Sequence, residues 1–293
     1  MGRRRGAPFG ALVAAAWLGA AALVVPSNTA AAVPDAPAFL AEQQLSPETT
    51  GRPAEPAPAP SRTTWWQETP SPAPEPTPEP EPVPEPEPEP PAADCAVAAC
   101  IALTFDDGPA DYTWTLLDEL AGKGVHATFF VLGSMAEKHP EVLTRMAAEG
   151  HVVGNHSWSH PRLTSLSVEG AGWQIDATAA VVQQATGVAP TLVRPPYGLS
   201  NDTVLAVLAE RGDASILWSV DTEDWRNRDV GITTQRALAG AAPGAIILMH
   251  DIHPSTVQAV PGIVDQLQAA GYTLVTVPEL LGPTDPGQVY RSR

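Results

Sequence analysis

At 293 residues the chain is long enough for one or two domains, but 33 prolines and a formal net charge of −17 are spread unevenly along it. The charge divides into +3 over residues 1–32, −10 over residues 33–94 and −10 over the remainder. An acidic globular part excludes nucleic acid as a partner, because phosphate binding needs a basic footprint.

The N-terminus reads as an export signal over residues 1–32. Arg3, Arg4 and Arg5 form a positive end, Ala11 to Val25 is apolar, and Ala30-Ala31-Ala32 offers a small-residue cleavage point. The apolar stretch is shorter than the roughly 20 residues of a stable membrane span; an uncleaved anchor is the alternative. Residues 33–94 are dominated by Pro, Ala and Glu and cannot bury a core, so they read as a disordered linker. From Ser71 to Pro91 proline alternates with Glu, Ala, Thr or Val, which favours an extended spacer with a reach of roughly 65 Å. Trp65 and Trp66 precede that repeat. A secreted or wall-associated protein is expected, with wall or membrane-surface association through the N-terminal region.

About 200 residues remain from Cys95 onward, enough for one core. The domain is expected over 95–283, with 284–293 as a tail. Cys95 and Cys100, the two cysteines of the chain, are expected to form a disulfide in an exported protein. Apolar runs predict strands at Ile101–Phe105, Ala127–Leu132, His151–Gly154, Thr191–Val193, Ser215–Val220, Ala245–Met249 and Tyr272–Thr276. Helical spacing and capping signals predict helices at Tyr112–Ala121, Pro140–Ala148, Ser167–Thr186, Asn201–Glu210, Thr233–Ala239 and Thr256–Ala270. Alternating strands and helices define an α/β protein with a parallel sheet, either a barrel or an open doubly wound sheet.

In such folds the ligand site gathers at the C-terminal ends of the strands. The unusual polar clusters fall there. Asp106-Asp107 follows the first strand, His156-Ser157-Trp158-Ser159-His160 the third, and Arg194-Pro195-Pro196-Tyr197 the fourth. Asp221-Thr222-Glu223-Asp224-Trp225 follows the fifth and His250-Asp251-Ile252-His253 the sixth. His156 and His160 stand four apart; on a helical turn both rings would face one cation. Two His and one Asp would leave an open coordination position, as a catalytic metal site needs. The residues alone do not distinguish Asp106 from Asp107. His126, His139 and His151 read as structural.

Taken in order, these five clusters resemble the motifs of the polysaccharide deacetylase family, the NodB-like carbohydrate esterases of family four. The resemblance covers Cys100 to Leu281 and implies an irregular (β/α)7-type barrel with parallel strands. It implies Asp107, His156 and His160 as ligands of a divalent metal, zinc foremost, with cobalt, nickel or manganese as alternatives. It implies Asp106 as the general base, oriented by Arg194, and His250 as the general acid, kept charged by Asp221. It places the backbone N–H of Tyr197 at the developing oxyanion, and Trp225 and Leu248 at the acetyl methyl group. Asp224 reads as a local cap, and Glu223, Asp251 and His253 receive no firm role.

The implied activity is removal of acetyl groups from N-acetylglucosamine-type residues of peptidoglycan or a chitin-like polymer, by a monomer. An esterase acting on O-acetylated xylan would use the same residues. A non-catalytic carbohydrate-binding module would be marked by a lost ligand, base or acid, and none is lost here.

Overall fold

The computed structural model describes residues 93–293. The expected signal at 1–32, Trp65–Trp66 and all but the last two positions of the linker lie outside the described residues. Chain order runs β1 (Cys100–Asp106), α1 (Asp111–Gly122), β2 (Thr128–Val131), α2 (Gly133–Ala136), α3 (Pro140–Ala148), β3 (Val152–Asn155), α4 (Val168–Thr186), β4 (Leu192–Val193), α5 (Asp202–Arg211), β5 (Ala214–Ile216), β6 (Val220–Asp221), α6 (Asp224–Asn227), α7 (Val230–Ala239), β7 (Ile246–His250), α8 (Pro254–Ala269), β8 (Thr273–Val275), α9 (Val277–Leu281) and β9 (Val289–Tyr290). The helix ends follow the sequence signals. The Ser167 hydroxyl accepts from Gly170 N–H to start α4, Gly187 stops it at φ 79°, and the Asn201 side chain caps α5.

The strands lie in the order β6-β7-β1-β2-β3-β4-β5-β9, with β8 also pairing β1, and every strand pair is parallel. An antiparallel bridge between Ala245 and Ser292 joins the chain after β9 to the residue before β7, so the sheet curls back toward its own first edge. This is the barrel-like parallel architecture expected.

Alternation along the strands divides the interior in two. Ile101, Leu103 and Phe105 of β1 pack outward against Leu116, Leu117 and Leu120 of α1 and Val260, Ile263 and Val264 of α8. Cys100 and Ala102 face inward with Phe130, Ile216 and Ile246. The two-residue period therefore carries Thr104 and Asp106 to the inner face, and in β7 it does the same for Ile246, Leu248 and His250. Asp106 is paired in register with His250, and Thr104 with Leu248. A carboxylate and an imidazole one strand apart at the barrel mouth are thus a consequence of pleat and register.

Three expectations are corrected. The strand expected over Ser215–Val220 is two strands, because the Arg194 guanidinium takes the carbonyls of Ile216 and Leu217 that a continuous ladder would use. The expected tail at 284–293 contains β9, which pairs with β5; a two-residue strand is too short to leave a periodic signal. The His156–His160 segment is not helical, as described below.

Candidate active site

The strand ends and loops of β1, β3, β4, β5, β6 and β7 converge on a cavity of about 370 Å³ lined by Asp106, Asp107, His156, His160, Tyr197, Trp218, Asp221, Trp225, Leu248 and His250. A second cavity of about 330 Å³, lined by His151, Val188, Thr191 and apolar neighbours, holds no converging carboxylates.

Asp107 adopts φ 74°, a left-handed conformation that breaks the alternation of β1 and brings a second carboxylate to the mouth that Asp106 already faces. Gly108 follows because any Cβ there would collide with the Asp251 carboxylate. Asp107 Oδ1 is buried without a hydrogen-bond partner. It lies 3.5 Å from His156 Nε2 and 3.5 Å from His160 Nε2, and the three ligand atoms fall within 4.8 Å of one another. Ligands about 2.1 Å from a tetrahedral cation stand roughly 3.4 Å apart, so the donor set fits a divalent metal.

His156 Nδ1 is 2.6 Å from the Arg194 carbonyl oxygen. A carbonyl only accepts, so Nδ1 carries the proton and Nε2 keeps its lone pair toward Asp107 and His160. Burial pushes the His156 imidazole down to about 3, although Asp107 pulls the other way, which keeps the ring in the neutral form that a ligand needs. His160 reaches the cluster through left-handed turns at Ser157 (φ 70°) and at itself (φ 60°), not through a helix.

Asp106 and Arg194 are both buried, and Arg194 Nη1 donates to Asp106 Oδ1 at 2.7 Å and to Thr104 Oγ1 at 2.9 Å. Its Nε and Nη2 donate to the carbonyls of Ile216 and Leu217, and Phe130 lies 4.1 Å under its plane. Burial raises the Asp106 carboxyl, and the Arg194 charge opposes it. The second oxygen, Oδ2, stands 3.7 Å from His156 Nε2.

The partner of His250 is Asp224, not Asp221. Asp224 Oδ1 lies 2.8 Å from His250 Nδ1 and accepts from Trp225 N–H, while Oδ2 accepts from His250 N–H and the Thr256 hydroxyl. Asp221 is exposed on the pocket wall and accepts from Glu223 N–H. The reason is the left-handed turn at Glu223 (φ 47°), which redirects the chain so that the fourth residue of the cluster passes beneath β7. Burial pulls the His250 imidazole down, but the hydrogen bond and charge of Asp224, with help from Asp106 and Asp107, lift it to about 9.

Tyr197 sits at φ 62° in a tight turn, its ring 4.6 Å from the His160 ring, and its hydroxyl donates to the His160 carbonyl. Trp218, between β5 and β6, was not read from the sequence because a continuous strand was expected there; it lines the cavity with Trp225 and Leu248. His253 and Asp251 are buried outside the lining, and Thr113 donates to Asp251. His151 Nδ1 accepts from Ala127 N–H, and its ring meets that of His126, away from the cavity. Cys95 and Cys100 are joined in a disulfide.

Fold and site together define a parallel-stranded barrel whose mouth gathers three residues that could hold a metal ion, Asp107, His156 and His160, beside the Asp106–Arg194 and Asp224–His250 pairs. The polysaccharide deacetylase family profile matches residues 94–214, ending before β6 and β7. The chain is 49% identical over 183 residues to the peptidoglycan-N-acetylglucosamine deacetylase PgdA of Listeria monocytogenes; that stretch is 62% of this chain and 39% of the relative, so the chain spans well under half of that protein. It is 39% identical over 185 residues to a peptidoglycan-N-acetylglucosamine deacetylase of Bacillus cereus, covering 61% of this chain and 67% of that protein. The solved structure of the peptidoglycan deacetylase PdaC of Bacillus subtilis superposes with a TM-score of 0.59 at 47% identity, over 62% of this chain and 89% of that one. The chain belongs to the polysaccharide deacetylase family.

Proposed function

We propose that this chain is a metal-dependent hydrolase that removes acetyl groups from N-acetylglucosamine-type residues of a cell-wall glycan, peptidoglycan foremost, releasing acetate outside the cell. The reading rests above all on one convergence: an orphaned Asp107 oxygen between two imidazoles, flanked by an arginine-held Asp106 and an aspartate-held His250. The names of the relatives support the substrate class.

Asp107, His156 and His160 would hold the cation, zinc by preference for a mixed nitrogen–oxygen donor set. When bound, the metal supplies Lewis acidity, making a water more acidic and polarising the acetyl carbonyl. Asp106 takes the proton of the attacking water through Oδ2, while Arg194 holds Oδ1 and keeps the carboxylate aimed. The oxyanion that develops is assigned to the backbone N–H of Tyr197. As the carbon–nitrogen bond breaks, His250 gives its proton to the departing nitrogen, because an amine leaves poorly unless protonated. Its pKa of about 9 keeps it charged at neutral pH. Trp218, Trp225 and Leu248 form the apolar wall against which the acetyl methyl group would rest.

The test is acetate release from chito-oligomers, peptidoglycan and acetylxylan measured side by side. Release from the N-acetylated substrates should vanish in excess chelator and return with zinc. Undiminished release in chelator, or turnover confined to acetylxylan, would overturn the proposal.

A further inference from the structure

The loop that carries both histidines of the cluster makes no ladder bonds through its own N–H groups from Ser157 to His160. Ser157 N–H donates to Asn155 Oδ1 at 2.8 Å, and His160 N–H to Ser157 Oγ at 3.2 Å. Between them, Trp158 N–H and Ser159 N–H both donate to one atom, Gln174 Oε1, at 2.9 and 3.0 Å. Gln174 Nε2 donates in turn to Ser159 Oγ at 3.2 Å. Asn155 and Ser157 belong to the loop or its strand; Gln174 comes from α4 and is the acceptor that ties the loop to the scaffold. It is 9% exposed, so bulk water does not readily take its place.

The loop depends on that tie. Ser157 and His160 both sit at positive φ, a conformation that is unfavourable for a non-glycine residue and persists only where the surroundings enforce it. The remaining contacts engage carbonyls and rings: Ser157 O accepts from Gly133 N–H, Trp158 O from Ser134 N–H and His160 O from the Tyr197 hydroxyl, with the Trp158 ring packed over Gly133 and the Tyr197 ring against His160. None of them offers an acceptor to the N–H groups of Trp158 and Ser159, which are left to Gln174 alone. Without it, two N–H groups lack an acceptor, and the loop relaxes at the residues that set the direction of His160.

We infer that Gln174 is a positioning residue that holds the His156–His160 loop in its cation-binding shape; the inference rests on the reading of Asp107, His156 and His160 as a cation site. Its work is done by Oε1 as a double acceptor. A glutamate keeps that atom, whereas a leucine of similar size removes it.

The experiment is zinc titration of the full chain, stripped of metal, against a competing chelator, with cobalt absorption as a second readout of ligand geometry. Melting of the metal-free proteins confirms that each variant is folded. Gln174→Leu should weaken zinc by roughly 10–100-fold and perturb the cobalt spectrum, while Gln174→Glu should stay within about threefold of the parent. If the leucine variant does not fold, Gln174→Ala, which admits solvent to the two N–H groups, should show the same loss. Parental affinity in whichever apolar variant folds, or an equal loss in Gln174→Glu, overturns the inference. If the parent binds no zinc, or His156→Ala binds it unchanged, the cation-site reading itself fails.

Discussion

Asp224 accepts four hydrogen bonds, two of them from His250, and that saturation fixes both the position and the charge of the imidazole. With His250 acting as the acid, activity is present while it is protonated and is lost as pH rises through its pKa of about 9. Removing the carboxylate lowers that pKa, so Asp224→Asn should move the alkaline limb of the kcat profile down by a pH unit or more. A profile unchanged in position would show that Asp224 does not set the charge of His250. The same region marks how far residues can be read from sequence. Asp106, Asp107, His156, His160, Arg194 and His250 stand out because they lie in polar clusters that follow predicted strands, and their roles are those the family motifs imply. Asp224 lies in such a cluster too but reads as a local cap, since its place beneath His250 depends on a left-handed turn at Glu223 that no local pattern announces.

Among the elements, the six longer helices and the long strands were legible from periodicity and caps, and α3 matches its expected bounds, whereas the four- and five-residue helices α2, α6 and α9 are too short to leave a periodic signal. The failures lie where a tertiary contact overrides local pattern. The apolar run from Ser215 to Val220 looks like one strand, but a buried guanidinium from β4's end takes two of its carbonyls and divides it, placing Trp218 in the cavity. The last ten residues look like a tail, yet Leu217 N–H donates to Tyr290, Ser215 N–H to Gln288 and Arg293 N–H to Gly244. Three such bonds contribute about 1 kcal/mol each. A chain ending at Gly287 should therefore melt roughly 6–12 °C lower by calorimetry. An unchanged melting temperature would mean that β9 does not support the sheet.

Across the whole molecule, one parallel barrel gathers five separated clusters at one rim, and the pleat and register of β1 and β7 decide which side chains enter. In the proposed function the two adjacent aspartates divide the work, Asp107 holding a cation and Asp106 moving a proton. Zinc stoichiometry and acetate release measured together in Asp106→Asn and Asp107→Asn separate the two tasks. Asp106→Asn should retain one zinc per chain with turnover reduced by about 10²–10⁴-fold, and Asp107→Asn should lose both zinc and turnover. Near-parental turnover in Asp106→Asn, or full zinc occupancy in Asp107→Asn, would show that the two carboxylates are not divided in this way.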